Sequence, residues 1–133
     1  MKVLDYFVKK RRNNNVYYKD LFKEIEGIKV LEEPSSDYVS NHWLNCILID
    51  KKITNWDNKK LHAFLNNENI ESRFLWTPLH TQAIFRKYDY FGNNESVALF
   101  KKGLALPSGS NLTTQHKERI KEAINKLVFE SRK

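Results

Sequence analysis

The segment "HWLNCILID", residues 42–50, constrains the fold more than any other part of the chain. In a strand, successive side chains point to opposite faces of the sheet. Alternation here puts apolar side chains on both faces: Leu44, Cys46 and Leu48 on one, and Trp43, Ile47 and Ile49 on the other. Such a strand is expected at the centre of a sheet, with other elements covering both sides. Asn45 is the single polar residue on the Trp43 face, and we expect its amide to be buried and hydrogen bonded.

The first 25 residues predict a long helix, because apolar side chains recur at nearly helical spacing from residue 3 onwards. Its apolar stripe is interrupted by "KKRRNNN", residues 9–15, where it passes through Arg11 and Asn14. An independent domain seldom places an arginine within a buried stripe. We therefore expect the middle of this helix to face solvent or another domain.

The remaining pattern interleaves short strands with helices. Strands are predicted at 28–31 and 70–76, and helices at 56–67, 94–102 and from Thr113 onwards, where the threonine caps the helix. Thr54 or Asn55 is the expected cap of the 56–67 helix. The segment after Pro78 is irregular with one possible helical turn, and "LALPSGS" is a brief extended stretch. The sequence predicts an α+β fold, with a small three-stranded, mainly antiparallel sheet covered by helices.

Length and composition fit a single domain over residues 1–133, with 41% hydrophobic and 29% charged residues. Cys46 is the only cysteine, so a disulfide framework is excluded and a reducing compartment is expected. Neither a signal peptide nor a membrane-spanning run is present, and we predict a cytoplasmic location. The net charge of +7 favours anionic partners, but for a chain rich in Lys and Asn the codon bias of an AT-rich genome is the preferred explanation.

The residues that usually carry catalysis or bind metals do not form a recognisable motif. There are four histidines, without CxxC, HxxxH or HExxH spacing. His42 and Cys46 would lie about 13 Å apart on a strand, which is too far for one ion. Ser108 lacks the flanks of a nucleophile elbow, and no glycine-rich phosphate loop exists. The sequence predicts no metal site and no catalytic residue in this chain.

Nucleic-acid binding is the alternative function. "KKRR", together with aromatic residues 88, 90 and 91 beside Arg86 and Lys87, could form a basic stacking surface. No RNP pattern, GXXG loop or recognition-helix signature accompanies it, so we expect no specific nucleic-acid partner. A stand-alone basic module that binds nucleic acid or another anion without catalysis remains the second hypothesis.

Four segments taken in order resemble a known family: "LDYFVKKRRNNNVYYKDLF", "SNHWLNCILID", "IESRFLWTPLHTQAIF" and "GLALPSGSNLTTQHKERI". They are similar to the C-terminal domain of the pyridoxal-phosphate-dependent sugar aminotransferases, the DegT/DnrJ/EryC1/StrS family. Within it, the resemblance is greatest to enzymes that aminate nucleotide-linked 4-keto sugars for bacterial surface glycans, as in the bacillosamine and legionaminic acid pathways. The resemblance covers nearly the whole chain and implies the small domain of a fold-type I aminotransferase.

The resemblance also implies what this chain lacks. Family members are considerably longer, and their large N-terminal domain holds pyridoxal phosphate and the lysine that binds it. We therefore expect a fragment that contains no catalytic lysine and no cofactor-binding residue. The full enzyme is expected to be a homodimer that takes its amino group from glutamate and passes it to a UDP- or dTDP-linked keto sugar.

The resemblance finally implies a substrate-binding role for the end of the 70–76 strand and the loop after it. In the family these deliver side chains to the mouth of the active site. Arg73 and His80 are suitable donors to the two phosphate charges, since charge-assisted hydrogen bonds are strong. Trp76 could pack on the sugar or base, and Asn45 is a fourth candidate. The alternatives are that Trp76 belongs to the core and that Arg73 is merely solvated.

Overall fold

The computed structural model describes residues 3–131, which form an α+β arrangement of helices around one small sheet. The helices are α1 (Leu4–Phe22), α2 (Lys51–Thr54), α3 (Asn58–Asn67), α4 (Glu95–Lys102) and α5 (Thr114–Ser131). The strands are β1 (Ile28–Val30), β2 (Asn45–Ile49), β3 (Arg73–Phe74) and β4 (Gly103–Leu106). The segment between β3 and α4 contains two turns of 3₁₀ helix, Leu79–Thr81 and Ala83–Phe85.

The sheet has four strands in the order β1-β2-β4-β3, and every pair is antiparallel. The predicted fold class is confirmed, with one strand more than expected. The extra strand is β4, which lies between β2 and β3 and pairs with both: Ala105 is opposite Cys46 on one side and Arg73 on the other. Its small residues, Gly103 and Ala105, hide the alternating pattern by which strands are recognised.

β2 occupies the centre of the sheet, as predicted, but its two faces are unequally covered. Ile47 and Ile49 are 0% and 2% exposed, whereas Cys46 and Leu48 are only half-buried. α1, α3 and α5 supply the helical side chains of the core cluster that contains the two isoleucines. The opposite face meets α4, which contributes no fully buried side chain. Trp43 precedes the strand and is 61% exposed.

The polar middle of α1 is docked on the chain's own loops. Arg11 donates from Nη1 to the carbonyl oxygens of Trp43 (2.8 Å) and Ser108 (3.3 Å). Asn14 is 3% exposed and donates from Nδ2 to the Gly109 carbonyl at 2.9 Å. The expectation of a solvent-facing position is therefore wrong for Asn14, and Arg11 is bound to the chain's own loops, whereas contact with another domain stays a prediction. Polar side chains interrupt the stripe because they bind backbone carbonyls beside the ends of β2 and β4.

The apolar start of α1 is the part that lies open. Leu4, Tyr6 and Phe7 are 51%, 57% and 44% exposed. The helix joins the core only further along, where Tyr18 and Phe22 are buried. Tyr18 also donates from its hydroxyl to the Pro107 carbonyl at 2.8 Å. The start and the middle of the helix thus depart from the burial that their hydropathy predicts, whereas its C-terminal part follows it.

Side-chain caps fix where α3 and α5 begin. Asp57 caps α3 by accepting a hydrogen bond from a backbone N–H of the first turn, so the expected cap at Thr54 or Asn55 is wrong. Thr113 caps α5 as predicted: its Oγ1 accepts from the His116 N–H (3.2 Å), and His116 Nδ1 accepts from the Thr113 N–H (3.3 Å). α5 packs one apolar stripe into the core, with Ile120, Ala123, Ile124 and Leu127 buried.

Replacing Arg11 with alanine should lower the free energy of unfolding by about 1.5 kcal/mol or more, because two carbonyls lose a charged donor. Chemical denaturation of the purified chain measures this change. Lys9→Ala, an exposed position on the same helix, is the control and should stay within about 0.5 kcal/mol of the parent. Equal, small effects of the two substitutions would mean that Arg11 is solvated after all.

Candidate functional site

The segment of residues 75–94, which connects β3 to α4, carries two of the four predicted site residues, Trp76 and His80. Its conformation is defined by short-range hydrogen bonds rather than by a regular helix. Thr81 Oγ1 donates to the Pro78 carbonyl (2.7 Å), and Gln82 Nε2 donates to the Thr77 carbonyl (3.0 Å). The irregular conformation predicted for this segment is confirmed. We call it the 75–94 segment.

His80 is held by an aromatic ring from the far end of the 75–94 segment. Its imidazole stacks on Tyr90, with ring centroids 3.7 Å apart and an interplanar angle of 18°. Tyr90 is itself positioned by its hydroxyl oxygen, which accepts from the Asn94 N–H at 3.2 Å. His80 Nε2 is buried without a hydrogen-bond partner among the described residues. Burying a polar atom without a hydrogen-bond partner costs free energy. The stack on Tyr90 thus fixes the position of the ring, but the hydrogen bonding of Nε2 is incomplete.

The other histidines differ from His80 in this respect. Each has a ring nitrogen bound to a protein group: His42 to Glu33 (3.2 Å), His62 to Ser72 (2.8 Å) and His116 to the Thr113 N–H (3.3 Å). These local contacts are sufficient to account for the positions of the three side chains. Within residues 3–131, the His80 ring has no comparable polar partner, which sets it apart as a candidate ligand contact.

Arg73 lies on the edge strand β3 with its side chain 80% exposed. Its Nε and Nη2 donate to Oε1 of Glu71 at 2.8 and 2.6 Å. Because Arg73 and Cys46 both pair with Ala105, they lie on the same, more open face of the sheet. A solvent-exposed ion pair is worth about 0–1 kcal/mol, so the guanidinium can exchange Glu71 for another anion at little cost.

Trp76 is 71% exposed, so the alternative that it belongs to the core is wrong. It is one of several large apolar side chains that the 75–94 segment leaves open, together with Leu79, Ile84, Tyr88 and Phe91. A cluster of exposed aromatic and aliphatic side chains on one segment is typical of a contact surface. The segment therefore combines an unsatisfied histidine with an open apolar surface.

Asn45 is placed differently from the other candidates. It is 1% exposed and lies on the core face of β2, with Ile47 and Ile49. Its backbone N–H donates to Ser108 Oγ at 2.7 Å, but neither polar atom of its amide has a partner among the described residues. The expectation of a hydrogen-bonded amide is therefore wrong, while burial is confirmed. Substrate contact by Asn45 stays a prediction without support from its position.

The described residues give little support to metal binding, to a reactive cysteine or to a membrane span. No cluster of three or more His, Cys, Asp or Glu side chains suited to a metal ion occurs in residues 3–131. Cys46 is half-buried, and desolvation raises the pKa of its thiol, which disfavours the reactive thiolate. Among the described helices, none combines the length and apolarity needed to cross a membrane.

The fold and the order of motifs match a known family of enzymes. The family model of the DegT/DnrJ/EryC1/StrS aminotransferases matches residues 1–125 of the chain. The chain belongs to this family. It is 35% identical over 128 residues to EpsN of Bacillus subtilis (strain 168), whose name describes a pyridoxal phosphate-dependent aminotransferase. That match covers 93% of this chain but 32% of EpsN, so the chain spans about a third of its relative's length.

Solved structures of other proteins share the fold. DesI, determined in the presence of its TDP-sugar product, matches with a TM-score of 0.86 and 17% identity over 98% of this chain and 33% of its own. PseC of Helicobacter pylori, an aminotransferase of pseudoaminic acid biosynthesis, matches with a TM-score of 0.80 and 20% identity over 97% and 34%. These structures share the α+β architecture of this chain, and the family resemblance seen in the sequence is confirmed by the family model.

The cavity that Lys117 lines does not fit pyridoxal phosphate. A protein that binds this cofactor supplies a lysine for its aldehyde and a charged partner for its pyridine nitrogen. Lys117 has its pKa lowered, first by desolvation and then by Lys10, as a nucleophilic lysine requires. It lines a cavity with Lys10, however, and no carboxylate among the lining residues could pair with a pyridinium. This cavity therefore offers no partner for the pyridine nitrogen of the cofactor.

Replacing Asn45 with leucine, which is similar in volume, should raise the free energy of unfolding by about 1 kcal/mol, because an unsatisfied buried amide costs about 1–3 kcal/mol. Asn58→Leu is the control. Asn58 is also buried, but its Nδ2 donates to the carbonyls of Gly103 (2.9 Å) and Phe100 (3.3 Å). That control should be destabilised by about 1–3 kcal/mol. Urea denaturation compares them, and equal destabilisation of both would show that the Asn45 amide is satisfied.

Proposed function

We propose that this chain is the C-terminal small domain of a pyridoxal-phosphate-dependent aminotransferase that acts on a nucleotide-linked keto sugar in the cytoplasm, for bacterial surface glycans. Membership of the family supports aminotransferase chemistry. The name of EpsN supports the cofactor, and the TDP-sugar product of DesI supports a nucleotide sugar as substrate. The remaining two-thirds of the enzyme would hold the cofactor and its lysine, and a homodimer is the expected assembly.

The observation that carries the substrate proposal is the state of His80. Its ring is fixed by the stack on Tyr90, yet Nε2 has no partner in the described part of the chain. A polar group of the substrate, such as a phosphate oxygen or a sugar hydroxyl, would complete the hydrogen bonding of the imidazole. Because the ring is already oriented, little side-chain entropy is lost on binding. His80 is thus a binding and orienting residue in this proposal.

Arg73 and Trp76 would assist from the same region of the chain. Arg73 can turn from Glu71 towards the diphosphate, where a guanidinium donates two parallel hydrogen bonds. Trp76 offers an open ring on which a sugar or base can pack. Both side chains are exposed, so their contribution depends on the large domain enclosing them. Asn45 is retained as a candidate only through the resemblance.

The division of labour between the domains follows from these positions. Pyridoxal phosphate, held by the large domain, supplies the electron sink that lets an amino group pass from glutamate to the keto sugar. The 75–94 segment binds and orients the nucleotide sugar and, with its apolar side chains, helps to exclude water. His80 therefore acts in the half-reaction of the sugar and not in that of the amino donor.

In the complete aminotransferase that contains this domain, His80→Ala should lower kcat/KM for the nucleotide sugar by about 10- to 150-fold. This is the loss of one hydrogen bond to a charged group, about 1.5–3 kcal/mol. The half-reaction with glutamate should be unchanged. His80→Gln, which can still donate a hydrogen bond, should recover part of the loss. Steady-state and single-turnover kinetics with both substrates measure these changes.

His116→Ala serves as the matched control, because the His116 ring accepts a hydrogen bond from the Thr113 N–H at the start of α5 and lies outside the 75–94 segment. It should lower thermal stability slightly and leave both half-reactions intact. If His80→Ala changes the sugar half-reaction less than about twofold while its melting temperature matches the parent, the site assignment is wrong. Family membership would be unaffected by that result.

The chain of 133 residues by itself should not bind the cofactor at one defined lysine. After incubation with pyridoxal phosphate and reduction with borohydride, mass spectrometry should find only scattered, substoichiometric adducts. A stoichiometric adduct at one lysine would overturn the assignment of cofactor binding to the other domain.

The alternative of a stand-alone module is tested by measuring the binding of single-stranded nucleic acid. Binding by charge alone weakens as the salt concentration rises. Sequence-selective, submicromolar binding at physiological salt would therefore favour the stand-alone module.

A further inference from the structure

A polar cavity of about 540 Å³ lies between α1 and the start of α5, apart from the 75–94 segment. Tyr6, Lys10 and Asn13 line it from α1, and Thr113, Thr114 and Lys117 from the α5 side. Its volume is within the range of small-molecule sites, about 300–1,000 Å³. No carboxylate lines it, so its formal charges are the two lysines.

The two lysines lack acidic partners. Both are half-buried, and neither forms an ion pair with any group in residues 3–131. Each ammonium instead lies near an aromatic ring: Lys10 Nζ is 5.5 Å from the centroid of Tyr6, and Lys117 Nζ is 5.2 Å from that of Tyr17. These contacts orient the ammonium groups and leave N–H donors for a ligand. Two partly buried ammonium groups in one cavity repel each other and lose hydration. An anion bound between them would offset both costs.

The electrostatics of Lys117 agree with this geometry. Desolvation and the charge of Lys10 lower the pKa of its ammonium group. An anion between the two lysines would offset both effects. The same arrangement that destabilises the empty pair therefore favours an anionic ligand.

Hydroxyl donors complete the cavity. Thr113 Oγ1 already accepts a hydrogen bond from the His116 N–H, so its own proton remains available to a ligand. Thr114 is the first residue of α5, a helix of 18 residues whose positive end faces the same region. The cavity therefore offers ammonium, hydroxyl and amide donors, and no carboxylate among its lining residues would repel an anion. Such a set of donors suits the several oxygens of a phosphate group.

We propose that this cavity binds the phosphate group of a small phosphate-bearing molecule, with Lys10 and Lys117 as its main ligands. The site is independent of the proposed sugar-binding role, because none of the four proposed sugar-binding residues lines this cavity. Free orthophosphate and a phosphate ester share this chemistry. The Tyr6 ring, which is 57% exposed beside the lysines, offers a stacking surface for an ester that carries a base.

The test is a titration of the 133-residue chain with sodium phosphate and, separately, with uridine 5′-monophosphate. Backbone amide chemical shifts locate the site, and calorimetry gives the affinity. Shifts should concentrate in residues 10–14 and 110–117, and should be absent with sodium chloride at equal ionic strength. Lys10→Gln and Lys117→Gln should each weaken binding about tenfold or more, as expected for one charge-assisted hydrogen bond.

Lys59→Gln, which removes an exposed charge on α3, is the matched control and should leave affinity unchanged. Equal binding of both phosphates would identify the phosphate group as the whole ligand. Tighter binding of the nucleotide, reduced by Tyr6→Ala, would identify an ester that stacks on the ring. The proposal is overturned if neither compound shifts these amides, if chloride shifts them equally, or if binding survives loss of both lysines.

Discussion

Backbone carbonyls around the ends of β2 and β4 are bound by polar side chains of one helix, and the arrangement of the domain depends on this contact. Arg11, Asn14 and Tyr18 of α1 reach the carbonyls of Trp43, Pro107, Ser108 and Gly109. Without these donors the loop after β4 would present unpaired acceptors in a partly buried place. The contact fixes α1 across the sheet, and thereby also fixes the cavity that α1 forms with α5.

Much of the fold could be predicted from periodicity, where periodicity is strong. The apolar stripe of α5 and the two-faced pattern of β2 are long enough to identify a helix and a central strand. β4 could not be recognised, because two of its four residues are Gly103 and Ala105. Gly103 must be small, because a Cβ there would lie 2.7 Å from the backbone carbonyl oxygen of Leu99. Close packing against other segments of the same chain, rather than a hydropathy pattern, determines the residues of that strand.

The candidate site could be located from the sequence, but not its internal contacts. Pro78 and the end of β3 indicated where a loop leaves the sheet, and the resemblance nominated His80. The stack on Tyr90 was not foreseeable, since the two rings are separated by an aromatic run without periodicity. The polar residues of α1 illustrate the opposite error. Arg11 and Asn14 suggested a surface, because hydropathy records the polarity of a side chain and not the carbonyl that it binds.

The strand order has a consequence for how the domain assembles. β2 and β3 never pair with each other, since β4 lies between them and is the last strand along the chain. A nascent chain that ends before residue 103 can therefore form only the β1–β2 ladder. β4 also lies far along the chain from β2 and β3, and pairing strands that are distant in sequence slows folding. During synthesis, β3 and the apolar side chains that follow it must wait for β4, and this interval is when we expect the chain to need protection from aggregation.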